Sequence, residues 1–179
     1  AGRLAKVDLL DEAAKLLDHQ VEFRLDGAEK ARIGVRAAII RLLDNKPEMA
    51  LAALADSDVS DMPVKLERQR RFLKSNILGK LGKVDEALAL FTDDYSPEAE
   101  KTRAGVTWRN SKWRKASAIL QRIMSKRKLS ADDSEGARFV VQWVIARAML
   151  GDNRGIEILR DRFGDVMAKT DQAKPFKVL

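Results

Sequence analysis

Apolar residues recur along this chain at the three-to-four-residue interval of an α-helix. Leu9, Leu10, Ala13, Leu16, Leu17 and Val21 set the pattern and predict a helix over residues 4–25, ended by Gly27. Ile33, Ala37, Ile40 and either Leu43 or Ala38 mark the inward face of a second helix over 28–43. Asn45 is placed to cap a third over 47–55, with Pro47 in its first turn, Glu48 three residues after the cap, and Met49, Ala50, Leu51 and Leu54 as its apolar residues. A helix opening at 61–63 runs to Leu81 and stops at Gly82, and a short one covers 85–91. Ser96–Pro97 caps and starts a helix to Arg109. Trp113, Ala116, Leu120, Ile123 and Met124 share one side of a helix over 112–126. Ser130 with Asp133 has the form of a capping box before a helix over 137–150. That helix is apolar nearly all round, which predicts neighbours on both sides. Gly151 and Asp152 introduce a helix over 153–163 that Gly164 breaks, and a last helical piece precedes Pro175. No stretch alternates apolar and polar long enough for a strand. The pattern predicts an all-α chain of nine or ten helices in antiparallel pairs.

Paired helices with short turns call for a test of self-similarity. The clearest unit is Leu81-Gly82-Lys83-Val84-Asp85-Glu86-Ala87-Leu88-Ala89-Leu90-Phe91. Its alanine–apolar frame recurs as Ala13/Leu17, Ala50/Leu54 and Ala116/Leu120. Ala13 to Ala50 and Ala50 to Ala87 are both 37 residues, Ala116 follows after 29, and Ile156 takes the alanine position 40 further on. Gly82–Ala87 resembles the Gly-x-x-x-x-Ala turn of the tetratricopeptide repeat (TPR), where glycine ends the first helix and alanine lets the second approach. Trp113 stands where Val84 does, three residues before the alanine; Ala38, Ser75 and Ala104 supply the small residue in mid first helix; Pro63 and Pro97 lie near repeat junctions. Three features depart from the family: spacings that scatter around its period of about 34, no aromatic near the start of any first helix, and a turn glycine only at Gly82 and Gly151. The resemblance implies stacked pairs forming a right-handed α-α solenoid over residues 4–165, with 166–179 as a C-terminal helical extension. The stretches LLDHQVEFRLDG and IIRLLDNKPEMALAAL are also similar to parts of large α-proteobacterial proteins that carry such repeats behind an exported region. That likeness, with a start lacking Met and an apolar end after Pro175, suggests a piece of a longer bacterial envelope protein, with the periplasm favoured over the cytoplasm. The longest apolar-rich stretch, 139–150, is interrupted by Gln142 and Arg147 and falls short of the roughly 20 residues of a membrane span. No membrane insertion by this segment is expected.

The chemistry-bearing residues narrow the function. There is no cysteine and one histidine, His19, in 179 residues. This excludes disulfides and thiolate chemistry and argues against a histidine-based hydrolase. His19 lies near Glu22 on the polar side of its helix and reads as a surface or groove residue. Asp93–Asp94 and Asp132–Asp133 could serve acid–base or cation chemistry, but both pairs precede helices, where carboxylates favour the N-terminal dipole. Asp56, Asp58 and Asp61 resemble a calcium loop without its central glycine and closing glutamate. Gly34 and Gly105 read as points of close helix approach, and no phosphate-binding loop or nucleophile elbow occurs. No enzyme activity, cofactor or metal is expected.

Charge points to a partner. The net +7 is uneven: residues 1–90 hold 16 basic and 15 acidic residues, residues 91–179 hold 18 and 12. Residues 101–128 carry ten cations and no acid, with Trp108 and Trp113 among them. The TPR resemblance implies a peptide-binding groove lined by first helices. Carried onto this chain, its spacing gives Gln69, Phe72 and Asn76, then Lys101, Trp108 and Arg109, then Arg138, Gln142 and Ile145. The family's lysine–asparagine carboxylate clamp is missing, since Lys101 faces Gly105 and Asn76 faces Phe72. An acidic or phosphorylated protein segment suits the basic third repeat, where Lys112 and Lys115 add to the charge. The alternative is RNA bound through 101–128, with Lys112, Lys115, Arg122 and Lys126 near one helix face. Against it, base-reading polar pairs do not recur at the repeat interval. A third reading is a spacer or dimerisation segment.

Overall fold

The computed structural model describes residues 9–178, and every regular element among them is helical. The chain forms two compact units, divided between Asp93 and Asp94. The first contains α1 (Leu10–Phe23), α2 (Gly27–Leu43), α3 (Pro47–Asp56), α4 (Val64–Lys80) and α5 (Val84–Ala89). The second contains α6 (Pro97–Arg109), α7 (Trp113–Ser125), α8 (Ser134–Ala148), α9 (Asn153–Met167) and α10 (Ala173–Val178). Residues 4–8 of the first expected helix lie outside the described residues.

Four hairpins, α2–α3, α4–α5, α6–α7 and α8–α9, turn through one backbone geometry. The residues that leave the first helix with positive φ are Asn45 (54°), Gly82 (75°), Ser111 (54°) and Gly151 (70°). At each, the next amide reaches back to the carbonyl five residues earlier: Lys46 to Arg41 (2.8 Å), Lys83 to Leu78 (2.9 Å), Lys112 to Thr107 (2.9 Å) and Asp152 to Arg147 (3.0 Å). This is a Schellman closure, which satisfies carbonyls that the helix end leaves orphaned. Five residues beyond each turn residue stand Ala50, Ala87, Ala116 and Ile156, the alanines fully buried. Asn45 therefore ends α2 rather than capping α3, whose N-cap is Lys46 without a side-chain bond. Among the described residues the repeat turn is present four times, with glycine in two of them.

Burial follows the helical pattern. In the first unit Leu17, Ala37, Ala38, Ala50, Leu54 and Ile77 belong to one core, and in the second Leu120, Met124, Val140, Val144, Leu159 and Met167 belong to another. Of the two inward candidates near the end of α2, Ala38 is fully buried and Leu43 is 69% exposed. Ser75, at the small position of α4, donates to the Ala87 carbonyl at 3.1 Å and ties six-residue α5 to its partner. Helix α8 packs against both α7 and α9, as its all-round apolarity predicts.

Polar residues make specific joints. In the first unit the buried Arg70 donates to the Ala31 carbonyl (3.0 Å), to the Ser57 hydroxyl (3.0 Å) and to the Leu54 carbonyl. It thereby joins α2, the end of α3 and α4, and burial pushes its pKa down. Arg41 pairs with Asp18 and reaches the Met49 sulfur at 3.3 Å. Lys15 and Lys46 bond the Asp11 carboxylate and lower its pKa to about 2. In the second unit Trp143 Nε1 donates to Ser117 Oγ at 3.2 Å.

Further boundaries differ from expectation. Helix α8 is capped by Asp133 itself, whose carboxylate accepts from the Gly136 amide at 2.9 Å, so Ser130 forms no capping box. Gly164 does not break α9, which runs through it to Met167. Pro175 lies inside the first turn of α10, where its missing N–H costs nothing. By contrast, the Ser96 cap (3.4 Å to the Ala99 amide) and the Asp152 cap (2.8 Å to the Gly155 amide) form as expected.

Candidate functional site

The ten sequence-nominated residues divide between the two units. Gln69, Phe72 and Asn76 lie on one face of α4. Gln69 is exposed, whereas Phe72 and Asn76 are half-buried. Phe72 packs against Phe91 at 4.8 Å between ring centroids, with the Arg68 guanidinium over its ring, and the Asn76 amide returns to the Phe72 carbonyl at 3.2 Å. Phe72 thus spends one face on its own unit. The other seven belong to the second unit. Trp108 stands edge-on to Trp113 at 5.3 Å, joining α6 to α7 just past their turn. Arg109, Lys112, Lys115 and Arg138 are exposed, and Gln142 and Ile145 half-buried. Of the two helix glycines singled out by sequence, Gly34 is a close-approach point, because an added Cβ would lie 1.7 Å from Ser57 Oγ. Gly105 is not: its added Cβ would meet only Arg109 Nη1, at 3.7 Å on the same helix.

Lys101 enters a cluster that sequence reasoning did not assemble. Its ammonium bonds Glu135 at 2.8 Å, and Glu135 also holds Arg127 at 3.0 Å. Arg127 in turn forks onto Asp133. The hydrogen bond from Arg127 holds the Asp133 carboxyl below its ordinary range, and that from Lys101 does the same for Glu135. Nearby, the buried Glu100 accepts from Arg103 at 2.6 Å and from Arg122 at 3.1 Å. Four of the ten cations of 101–128 are therefore matched by Glu100, Asp133 and Glu135. The weak signal for this was Glu100 three residues before Arg103 on one helix face; the partners of Arg122 and Arg127 are set by packing.

Two cavities open beside this cluster. One, of about 270 Å³, lies between the start of α6 and the end of α7, with Tyr95, Pro97 and Ile123 as apolar lining and Lys101, Arg122 and Lys126 among its cations. Another, a shallow depression of about 490 Å³ largely open to solvent, lies between the α7–α8 turn and α9, with Leu129, Phe163 and Val166 as apolar lining and Lys126, Lys128 and Arg162 among its cations. Lys126 and Arg127 line both. A third, larger cavity of about 580 Å³ in the first unit mixes Arg70, Arg71 and Lys74 with Asp58, Glu67 and Glu86 and so carries no net sign.

One member of each acidic pair has a structural partner. Asp133 caps α8, and Asp94 accepts the Ser96 amide at 3.0 Å. Asp58 lies 3.5 Å from Arg70. His19 is exposed and packs on Phe23, with ring centroids 5.0 Å apart. Among the described residues no group of three or more His, Cys, Asp or Glu is arranged to hold a metal ion, and no helix is long and apolar enough to cross a membrane.

The repeated turns, the buried alanines behind them and the helix-pair order define a TPR-like repeat fold. The solved structures agree. The chain is similar to crystal structures of nearly identical TPR-like repeats of a Podosopora anserina protein described as a kinesin light chain. One has 14% identity and a TM-score of 0.65, covering 95% of this chain and 92% of that one. A form of it carrying one substitution has the same identity and TM-score, covering 93% and 91%. No family model matches the sequence, and no curated protein matches it.

Proposed function

We propose that this chain is a non-enzymatic protein-binding module whose second unit takes an acidic segment of a partner protein. TPR-like folds commonly mediate protein–protein interaction, and the groove-facing positions Lys101, Trp108, Arg109, Arg138 and Gln142 are candidates for contact, with Gln69, Phe72 and Asn76 on the first unit. The observation that carries the reading is the charge of α7 and the turn after it. Lys112, Arg114, Lys115, Lys126 and Lys128 are all exposed, and no acidic residue interrupts the run. Such a surface attracts anions and accelerates their encounter. The envelope setting is part of the same proposal, with the chain as a piece of a longer bacterial protein.

The test is binding of fluorescein-labelled glutamate-rich peptides against single-stranded RNA of matched charge, followed by anisotropy over a salt series. Peptide binding that is tighter than RNA binding and weakens moderately with salt supports the reading. RNA binding that is tighter than peptide binding, with a steep log–log slope, replaces it with the nucleic-acid alternative.

A further inference from the structure

We infer that the acidic partner segment is held outside the first-helix face, on the ridge formed by Lys126, Arg127 and Lys128, with one bulky apolar side chain in the cavity on each side of that ridge. This rests on the protein-binding reading above and gives it a location.

Three observations converge. Lys126 and Arg127 line both cavities, so one bound segment crossing the ridge meets both. Each cavity joins an apolar surface to cations, and Glu100 is the sole carboxylate in the two linings. Glu100 is itself buried and already shared by Arg103 and Arg122. The unspent charge sits on the ridge and the far wall. Lys126, Lys128 and Arg162 are exposed and hold no ion pair among the described residues, whereas Lys101, Arg122 and Arg127 are engaged. An acidic group over Lys126 and Lys128 gains partners without displacing an existing bond.

The apolar walls give the site an anchor as well as a field. Tyr95 is 66% exposed beside Pro97 and Ile123, and offers ring surface to a guest side chain. Leu129 and Val166 are half-buried beside the buried Phe163, with the Arg162 guanidinium 4.9 Å from the Phe163 ring centroid. Desolvated apolar anchors supply most of the affinity in such contacts, and surrounding charges set encounter and specificity. A phosphate chain would use the lysines but gain little from two apolar walls, which is why a peptide is the favoured guest.

The experiment uses the full chain and fluorescein-labelled peptides of glutamate and serine carrying no, one or two phenylalanines, read by anisotropy. The two-phenylalanine peptide is expected to bind most tightly. K126E/K128E weakens it by about tenfold or more, Y95A, R162E and K112E/K115E each weaken it less, and K65E/K80E, at exposed positions of the first unit, leaves it nearly unchanged. Circular dichroism of each variant checks that helix content is intact; these side chains are exposed. Binding that survives K126E/K128E but is lost in K112E/K115E overturns the ridge while leaving the acidic-partner reading standing. Affinity indifferent to the phenylalanines overturns the two-anchor geometry. Absence of binding to every peptide by the unaltered chain removes both readings.

Discussion

Gly34 and Ser57 touch so closely that no side chain fits between them: a methyl on Gly34 would lie 1.7 Å from Ser57 Oγ and 2.2 Å from its Cβ. Gly34→Ala is expected to destabilise the first unit by about 1–3 kcal/mol through overpacking. Because the clash is with one side chain, Ser57→Gly in the same chain relieves part of it. The double variant should lose less than the sum of the two singles in urea unfolding. Strict additivity would place the strain elsewhere.

Ser57 also receives Arg70, whose guanidinium serves three acceptors at the α2–α3–α4 junction. Arg70→Ala removes three bonds from a charged donor at this buried junction, and a loss of about 2–4 kcal/mol is expected in the same measurement. Arg36→Ala on the exposed side of α2 is the control and should cost well under about 1 kcal/mol.

The four hairpin turns need the left-handed conformation whatever residue occupies it. Ser111→Gly is therefore expected to stabilise by up to about 1 kcal/mol, and Asn45→Gly by less, since asparagine tolerates that region better. Gly82→Ala should cost about 1 kcal/mol, with no steric component, because nothing lies within 4 Å of an added Cβ. A rise in unfolding midpoint for Ser111→Gly with unchanged m-value is the result to look for.

Gly164 lies within α9 with open space where a Cβ would stand. Gly164→Ala should stabilise the helix by about 0.5–1 kcal/mol. A loss instead would mean that the glycine is needed for something other than helix geometry.

Asp133 and Glu135 titrate below their ordinary range because Arg127 and Lys101 bond them. A depressed folded-state pKa contributes stability above the ordinary carboxylate value of about 4, and that contribution fades as pH falls through the depressed one. The unfolding midpoint should therefore drop on acidification below about pH 4. Asp133→Asn, which keeps an N-cap oxygen but not the charge, should flatten part of that drop.

Much of the fold was legible because the alanine register and helical periodicity both report packing, and packing repeats. Ala13, Ala50, Ala87 and Ala116 are all fully buried. What escaped was decided by backbone conformation or by tertiary partners. Asn45 has the composition of an N-cap, but the Schellman closure assigns it to the preceding helix. Gly164 reads as a breaker, yet propensity is a weak prior beside the burial of Phe163 and Met167 on either side. For the candidate site, the basic run was plain, but which cations are engaged depends on Glu100, Asp133 and Glu135. Two of those three lie outside the helices that carry most of the run.

The internal pairing of that run bears on association kinetics. Long-range steering depends on the field that escapes a surface, and paired charges largely cancel beyond a Debye length of about 8 Å at physiological salt. With Lys101, Arg103, Arg122 and Arg127 matched at home, the approach of a partner is guided by fewer charges than ten. In the proposed site the matched cations stay with Glu100, Asp133 and Glu135 and hold the cavity walls in place. On that proposal, the Glu100 and Glu135 pairs divide one cationic stretch into a part that sets how fast a partner arrives and a part that keeps the cavity walls in place.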